Sequence, residues 1–204
     1  MANLQTALTS VIPALDYPAP LTEMVLTASG RPVLARPVRP DDADALQTFF
    51  RSLSANSRRN RLFGPARELP HDVLDCFTHV DYHHHFALVA TSPGSDEIIG
   101  EARFVMVESG EAEFAVTISD AWQGNGIGAL LLSRLICRAK EEGIGTLFGD
   151  VLLSNLAMQR LGRKLGFRNL PGPPGLGLCC LEMSLTEHAF SCADLRSPAM
   201  PLVA

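Results

Sequence analysis

A strand-like run, EAEFAVTIS (111–119), passes through three alternating glycines, Gly124, Gly126 and Gly128, into one long apolar helix pattern. No other stretch limits the fold as much. The free amides at a helix start point outward and carry partial positive charge, which suits an anion. Glycine removes the Cβ that would hold a ligand away from the backbone. A Walker A loop is excluded, because no Lys follows the glycines. A dinucleotide fingerprint matches formally through Gly124, Gly126 and Ala129, with Asp150 near the place of a ribose carboxylate. That motif sits directly on a strand end and opens a βαβαβ series. Here SDAWQ intervenes and too little chain follows. A tight turn that binds nothing is the plain alternative.

The rest of the chain sets this loop in a mixed order of elements. PVLARPV (32–38) reads as a strand. RPDDADALQTFFRSL (39–53) reads as an amphipathic helix with Ala45, Leu46, Phe49, Phe50 and Leu53 on one side. SANSRRNRLFG (54–64) reads as a short helix stopped by Gly64, and PHDVLDCFTHV (70–80) as a third. The period then changes to two. FALVAT (86–91), EIIGEARFVMVE (97–108) and EAEFAVTIS form an antiparallel meander. After the glycines, Ile127, Leu131 and Leu135 make one helical stripe, flanked by Leu132, Ile136 and Ala139. GTLFGDVLL (145–153) is a strand, Ser154 or Asn155 caps a further helix closed by Gly166, and LCCLEMSL (178–185) is a last strand. Helices first, then a meander, then strand–helix–strand–helix–strand indicate an α+β (mixed α/β) fold. Residues 1–30 read as an N-terminal extension, 31–185 as one domain and 186–204 as a tail.

Composition narrows the function. The chain is 47% hydrophobic with a net charge of −5, which argues for a packed core and against a nucleic-acid partner. No apolar run reaches a membrane span, and no Lys or Arg precedes Arg31, so no secretory leader is expected. Five cysteines without a C-x-x-C pair fit a reducing, cytoplasmic setting, with Cys137 as core on an apolar helix. DYHHHF (81–86), with His79 nearby, lacks the alternation and companions of a metal site, so no metal is expected. SRRNR (57–61) is a solvated helix face or a wall that selects an acceptor through Arg58, Arg59 or Arg61.

Gln123, Gly126 and Gly128 spell Q-x-x-G-x-G, and VLLSNLAMQRLGRKLGF (151–167) adds Asn155 and a closing Gly166-Phe167. With these residues in this order, the chain resembles the GNAT acetyltransferase superfamily from about Arg31 to Ser184. The resemblance implies a central, mostly antiparallel, splayed sheet flanked by helices. It implies acetyl-CoA as co-substrate, with its pyrophosphate on Gly124, Asn125, Gly126, Ile127, Gly128 and Ala129. Its pantetheine would lie along Val116, Thr117 and Ile118, and Asn155 would face that arm. Pantetheine carries two amides and can imitate an added strand.

Ala112, Glu113, Phe114 and Ala115 match a run found in bacterial protein-lysine acetyltransferases of this superfamily, where the glutamate is the base. Glu113 is therefore the catalytic candidate, with Glu111 and Glu101 as weaker ones. A solvated or salt-bridged glutamate is the structural alternative. Gly162 stands where many members carry the tyrosine that protonates the leaving thiolate. The expectation is an N-acetyltransferase acting on a primary amine, either a protein lysine or a small molecule. A non-catalytic acyl-CoA sensor is the contrasting class. A homodimer is left open.

Overall fold

The computed structural model describes residues 17–108, 110–186 and 192. The extension reading for 1–16 and the tail reading for 187–191 and 193–204 fall outside these residues.

Eight strands form one sheet: β1 (Glu23–Leu26), β2 (Pro32–Pro37), β3 (His85–Thr91), β4 (Ile98–Glu108), β5 (Glu111–Ile118), β6 (Thr146–Leu152), β7 (Arg168–Pro171) and β8 (Leu178–Ser184). Their order is β1-β2-β3-β4-β5-β6-β8-β7. Every neighbouring pair is antiparallel except β5 with β6. Five α-helices accompany them among the described residues: α1 (Ala43–Ser52), α2 (Ala55–Leu62), α3 (His71–Thr78), α4 (Ile127–Glu141) and α5 (Leu156–Leu165). The α+β expectation is met.

Local chemistry explains the elements. α1 buries Leu46, Phe49 and Phe50 at helical spacing. Its start is fastened to β2, where the Arg36 guanidinium donates to both Asp42 oxygens at 2.7 and 2.6 Å. The Ser54 hydroxyl caps α2 by accepting the Ser57 amide. That helix ends on Phe63, at φ 53°, one residue before the glycine expected to stop it. α4 buries Ile127, Leu131, Leu132, Leu135, Ile136 and Ala139 and packs on β3, β4 and β5. α5 closes on Gly166 at φ 95°, a left-handed cap that favours glycine.

Two strands went unread. β1 is short and exposes Met24 and Leu26 on the sheet edge. It lies inside the stretch read as an extension. β7 is the other edge, four largely exposed residues ending in proline.

The parallel pairing of β5 and β6 is brief. It joins Glu111 to Thr146, Ala112 to Leu147 and Glu113 to Phe148, and then stops. Beyond it β5 continues to Ile118 against β4 alone, and β6 continues to Leu152 against β8 alone. Gly149 marks the parting. A Cβ there would meet the Phe114 carbonyl oxygen at 2.7 Å and its ring at 3.0 Å. Only a glycine lets the two strands come so close just before they splay.

Cys137 departs from the free-thiol expectation. It is bonded to Cys192, with the two Cα atoms 5.7 Å apart. Helical spacing identified its apolar face but carries no information about a partner 55 residues away. No helix of the described residues is long and apolar enough to cross a membrane.

Candidate active site

The glycine loop sits at the open end of the β5–β6 gap. Gly124 and Gly126 take φ of 77° and 85°, left-handed values that side chains disfavour. Gly126 caps α4 with no side-chain acceptor, so the first-turn amides keep their hydrogen-bonding capacity. Gln123 pins the turn from below, its Nε2 donating to the Ile118 carbonyl at 3.1 Å and to the Ser57 hydroxyl at 3.2 Å. A Cβ on Gly124 would meet only open space, while one on Gly128 would lie 3.4 Å from the Leu161 side chain.

A cavity of about 540 Å³ follows this loop and the end of β5. Val116, Thr117, Ile118, Gln123, Gly124, Gly126, Ile127, Gly128, Ala129 and Asn155 line it. Asn125 is the exception among the expected binding residues. Its side chain turns to the β1–β2 hairpin, where Oδ1 accepts from the Ser29 hydroxyl at 2.9 Å and its carbonyl accepts the Ala28 amide. Asn125 is a fastener of the loop. Trp122 braces the same hairpin, with the Arg31 guanidinium 3.5 Å above its ring.

A second cavity of about 320 Å³ opens on the other side of the gap. It is lined mainly by apolar side chains from α2, α3 and the loop between them, and by Glu113, Asp150 and Asn155. Asn60, Arg61, Val116, Asn155 and Met158 border both cavities and form the neck between them. Asn155 serves two ends: its Oδ1 accepts the Met158 amide at 3.1 Å, capping α5, while the residue borders both spaces. Glu113 is half-buried. Burial pushes its carboxyl above the usual carboxylate range, the charge of Asp150 adds to the rise, and Arg61 opposes it. Glu111 is exposed and lines neither cavity.

Gly162 faces away from the neck. A Cβ there would lie 2.7 Å from the Leu181 side chain of β8, so Leu181 occupies the room that a larger residue at 162 would need. The α5 residues that line the large cavity are Leu156, Ala157, Met158, Leu161 and Lys164.

Beneath the neck lies a charge cluster that helical and strand periodicity did not reveal. Arg103 and Glu101 are fully buried and bonded to each other. Arg61 approaches Glu101 at 3.6 Å, and Arg103 stacks 3.6 Å over the Phe77 ring. Arg61 Nε and Nη2, Glu101 Oε2 and Thr117 Oγ1 have no hydrogen-bond partner, although Thr117 stands opposite Glu101 in the β4–β5 register. Asp120 ties this wall to the glycine loop. Its carboxylate accepts from the Ser54 amide, the Ser54 hydroxyl and the Ser57 hydroxyl at 2.7–2.8 Å. Burial works against the charged form, yet these bonds hold its pKa below the ordinary value.

The histidine run diverges across a bend that begins at Tyr82, at φ 61°, and only His85 enters β3. His83 reaches Glu142 and His84 reaches Asp81, both at 3.0 Å and both exposed. His85 is buried, and its Nε2 accepts from Arg103 at 2.9 Å. Burial and then the Arg103 charge lower its pKa to about 3, from an ordinary 6.5. The unfolded chain therefore binds a proton below about pH 6.5 while the folded chain stays neutral down to about pH 3. Stability is full above that window and falls within it as pH falls, by about 1.4 kcal/mol per unit. Urea denaturation between pH 6 and 5 is expected to show this extra slope in the wild type and not in His85→Gln. Equal slopes in the two proteins contradict it.

Comparison with known proteins identifies the family. A family profile described as an acetyltransferase (GNAT) domain matches residues 33–168. An acetyltransferase of Pseudomonas aeruginosa, PA5475, is 35% identical over 141 residues, covering 68% of this chain and 76% of that protein. The acetyltransferase Pat of Mycolicibacterium smegmatis is 33% identical over 133 residues, 64% of this chain but only 40% of that longer one. Among solved structures, the GNAT domain of S. lividans PAT superimposes with a TM-score of 0.77 at 29% identity, over 83% of this chain and 99% of that one. The chain belongs to the GNAT acetyltransferase family.

Proposed function

We propose that the chain transfers an acetyl group from acetyl-CoA to a primary amine by direct attack on the thioester, with Glu113 as general base. The observation that carries this reading is the placing of Glu113. It lines the smaller cavity at the last β5–β6 pair, next to the neck that leads to the glycine loop.

In this reading the coenzyme's diphosphate rests on the amides around Gly124, Gly126 and Gly128. Charge-assisted bonds of this kind contribute about 1.5–3 kcal/mol each. The pantetheine amides follow Val116, Thr117 and Ile118 into the gap, past Asn155. The acceptor enters through the smaller cavity and meets the thioester at the neck. An alkylammonium with a pKa near 10.4 must lose a proton, which costs about 4.6 kcal/mol at pH 7. Glu113 accepts that proton. The free nitrogen attacks the thioester carbon, and a backbone amide of the splayed β5 meets the developing oxyanion. The carbon–sulfur bond then breaks. The second proton shed by the new amide nitrogen balances the sulfur through solvent, because no side chain at position 162 can supply one. A thiol with a pKa near 8.5 is a tolerable leaving group as the anion.

The run Ala112-Glu113-Phe114-Ala115, which resembles that of bacterial protein-lysine acetyltransferases, favours a protein lysine as acceptor, ahead of a small-molecule amine. The absence of a tyrosine at 162 keeps a binding-only sensor as the second reading. Release of free thiol from acetyl-CoA, followed with lysine peptides and simple amines, decides between them. Turnover that needs the amine supports the transferase. Tight acetyl-CoA binding with no amine-dependent thiol release overturns it in favour of the sensor.

A further inference from the structure

Asp150 shares the smaller cavity with Glu113 but comes from the other side of the gap. Glu113 stands at the last paired position of β5, opposite Phe148. Asp150 lies two residues further along β6, where the strands have parted, and is paired on its far side with Cys180 of β8. Both carboxylates are half-buried, and neither takes part in an ion pair among the described residues. Among the described residues, three other charged side chains stand near this pair. Arg61 of α2 borders the same cavity, 3.6 Å from Glu101 and without a hydrogen bond on Nε or Nη2. Arg103, opposite Ala115 on β4, is bonded to the same carboxylate. Glu68 at the cavity mouth is paired with Arg51 at 2.7 Å. Two carboxylates, neither in an ion pair among the described residues, therefore face one cavity whose other walls are largely apolar, Leu62, Leu69, Val73 and Phe77 among them, with Arg61 and Asn155 at its neck. Unpaired charge in such surroundings is costly. A cation with an apolar stem relieves both terms at once.

We propose that Asp150 is a positioning residue: together with Glu113 it forms a carboxylate pair, one from each side of the strand gap, that receives the ammonium of an acceptor with an unbranched aliphatic stem. This rests on the transfer reading above and names its acceptor class. The ammonium is drawn in charged. Glu113 takes one proton from it and becomes a neutral acid, while Asp150 keeps its charge and holds the nitrogen in line with the thioester. The like charge of Asp150 also makes Glu113 a stronger base than burial alone would. A free α-amino acid, whose carboxylate would face the same pair, is disfavoured as an acceptor.

The test uses Asp150→Asn, which keeps the shape, with n-pentylamine and an Nα-acetyl-lysine amide as acceptors. Loss of one charge-assisted bond raises KM for either amine about 10- to 100-fold, with KM for acetyl-CoA unchanged. The acidic limb of the kcat/KM profile moves to lower pH as the like charge disappears. Asp150→Glu restores part of both effects, which a merely structural role does not predict. An unmoved limb with an unchanged amine KM overturns the role of Asp150. So does a preference of the wild type for free norleucine over n-pentylamine, which assigns the cavity to zwitterions. If Glu113→Gln also leaves the rate intact, or neither amine is turned over, the transfer reading itself has failed. A slow Glu113→Gln beside an unaffected Asp150→Asn overturns only the pair.

Discussion

Replacing Glu113 with Gln lowers kcat/KM for acetyl transfer by about 10²- to 10⁴-fold, the usual worth of a positioned general base. Acetyl-CoA binding stays within about twofold, because Glu113 borders the acceptor cavity and not the larger one along the glycine loop. The substitution keeps the side chain's length and removes only its capacity to accept a proton. The remaining rate should rise steadily with pH, since the fraction of free amine then depends on solvent alone. Thiol-release kinetics with the wild type and the variant, paired with calorimetry for acetyl-CoA, check both halves. A variant that keeps more than about a third of the wild-type kcat/KM makes Glu113 a bystander.

Removing Arg103 has the second large effect, this time on the fold. Arg103→Met is expected to cost about 3–5 kcal/mol, because it leaves the Glu101 carboxylate fully buried with its main partner gone. Arg61 cannot take over. It lies 3.6 Å away on the other carboxylate oxygen, without a hydrogen bond. The Arg103 guanidinium also donates to the Phe77 carbonyl and to His85, and stacks on the Phe77 ring. Its loss therefore loosens α3, one wall of the acceptor cavity, against β4. For a domain of this size the cost corresponds to a drop in Tm of about 6–20 °C. A drop under about 2 °C shows that the cluster does not fasten the wall.

The sheet was largely legible because its inner strands alternate or run apolar, and because the period changes visibly after His85. The glycine loop was legible for a different reason. Positive φ at Gly124 and Gly126 is a backbone demand that leaves its mark as glycine. Edge strands β1 and β7 leave no such mark: few of their side chains are buried, so little apolar patterning is imposed on them. The candidate base could be placed by its strand position, but its neighbours could not. Asp150, Arg61 and Glu101 come from β6, α2 and β4, and only the folded sheet brings them under one neck. Asn125 illustrates the opposite limit. Its position in the loop suggested a ligand contact, and nothing in local sequence reveals that Ser29 claims its side chain. Gly162 is similar, since the leucine that fills its space comes from β8.

A crystal structure of the chain with acetyl-CoA tests the central claim most directly. The account predicts diphosphate oxygens within about 3 Å of the main-chain nitrogens between Gly124 and Ala129, with the thioester in the opening between β5 and β6, facing Glu113. A coenzyme seated anywhere else, with that turn and that opening empty of it, contradicts the account.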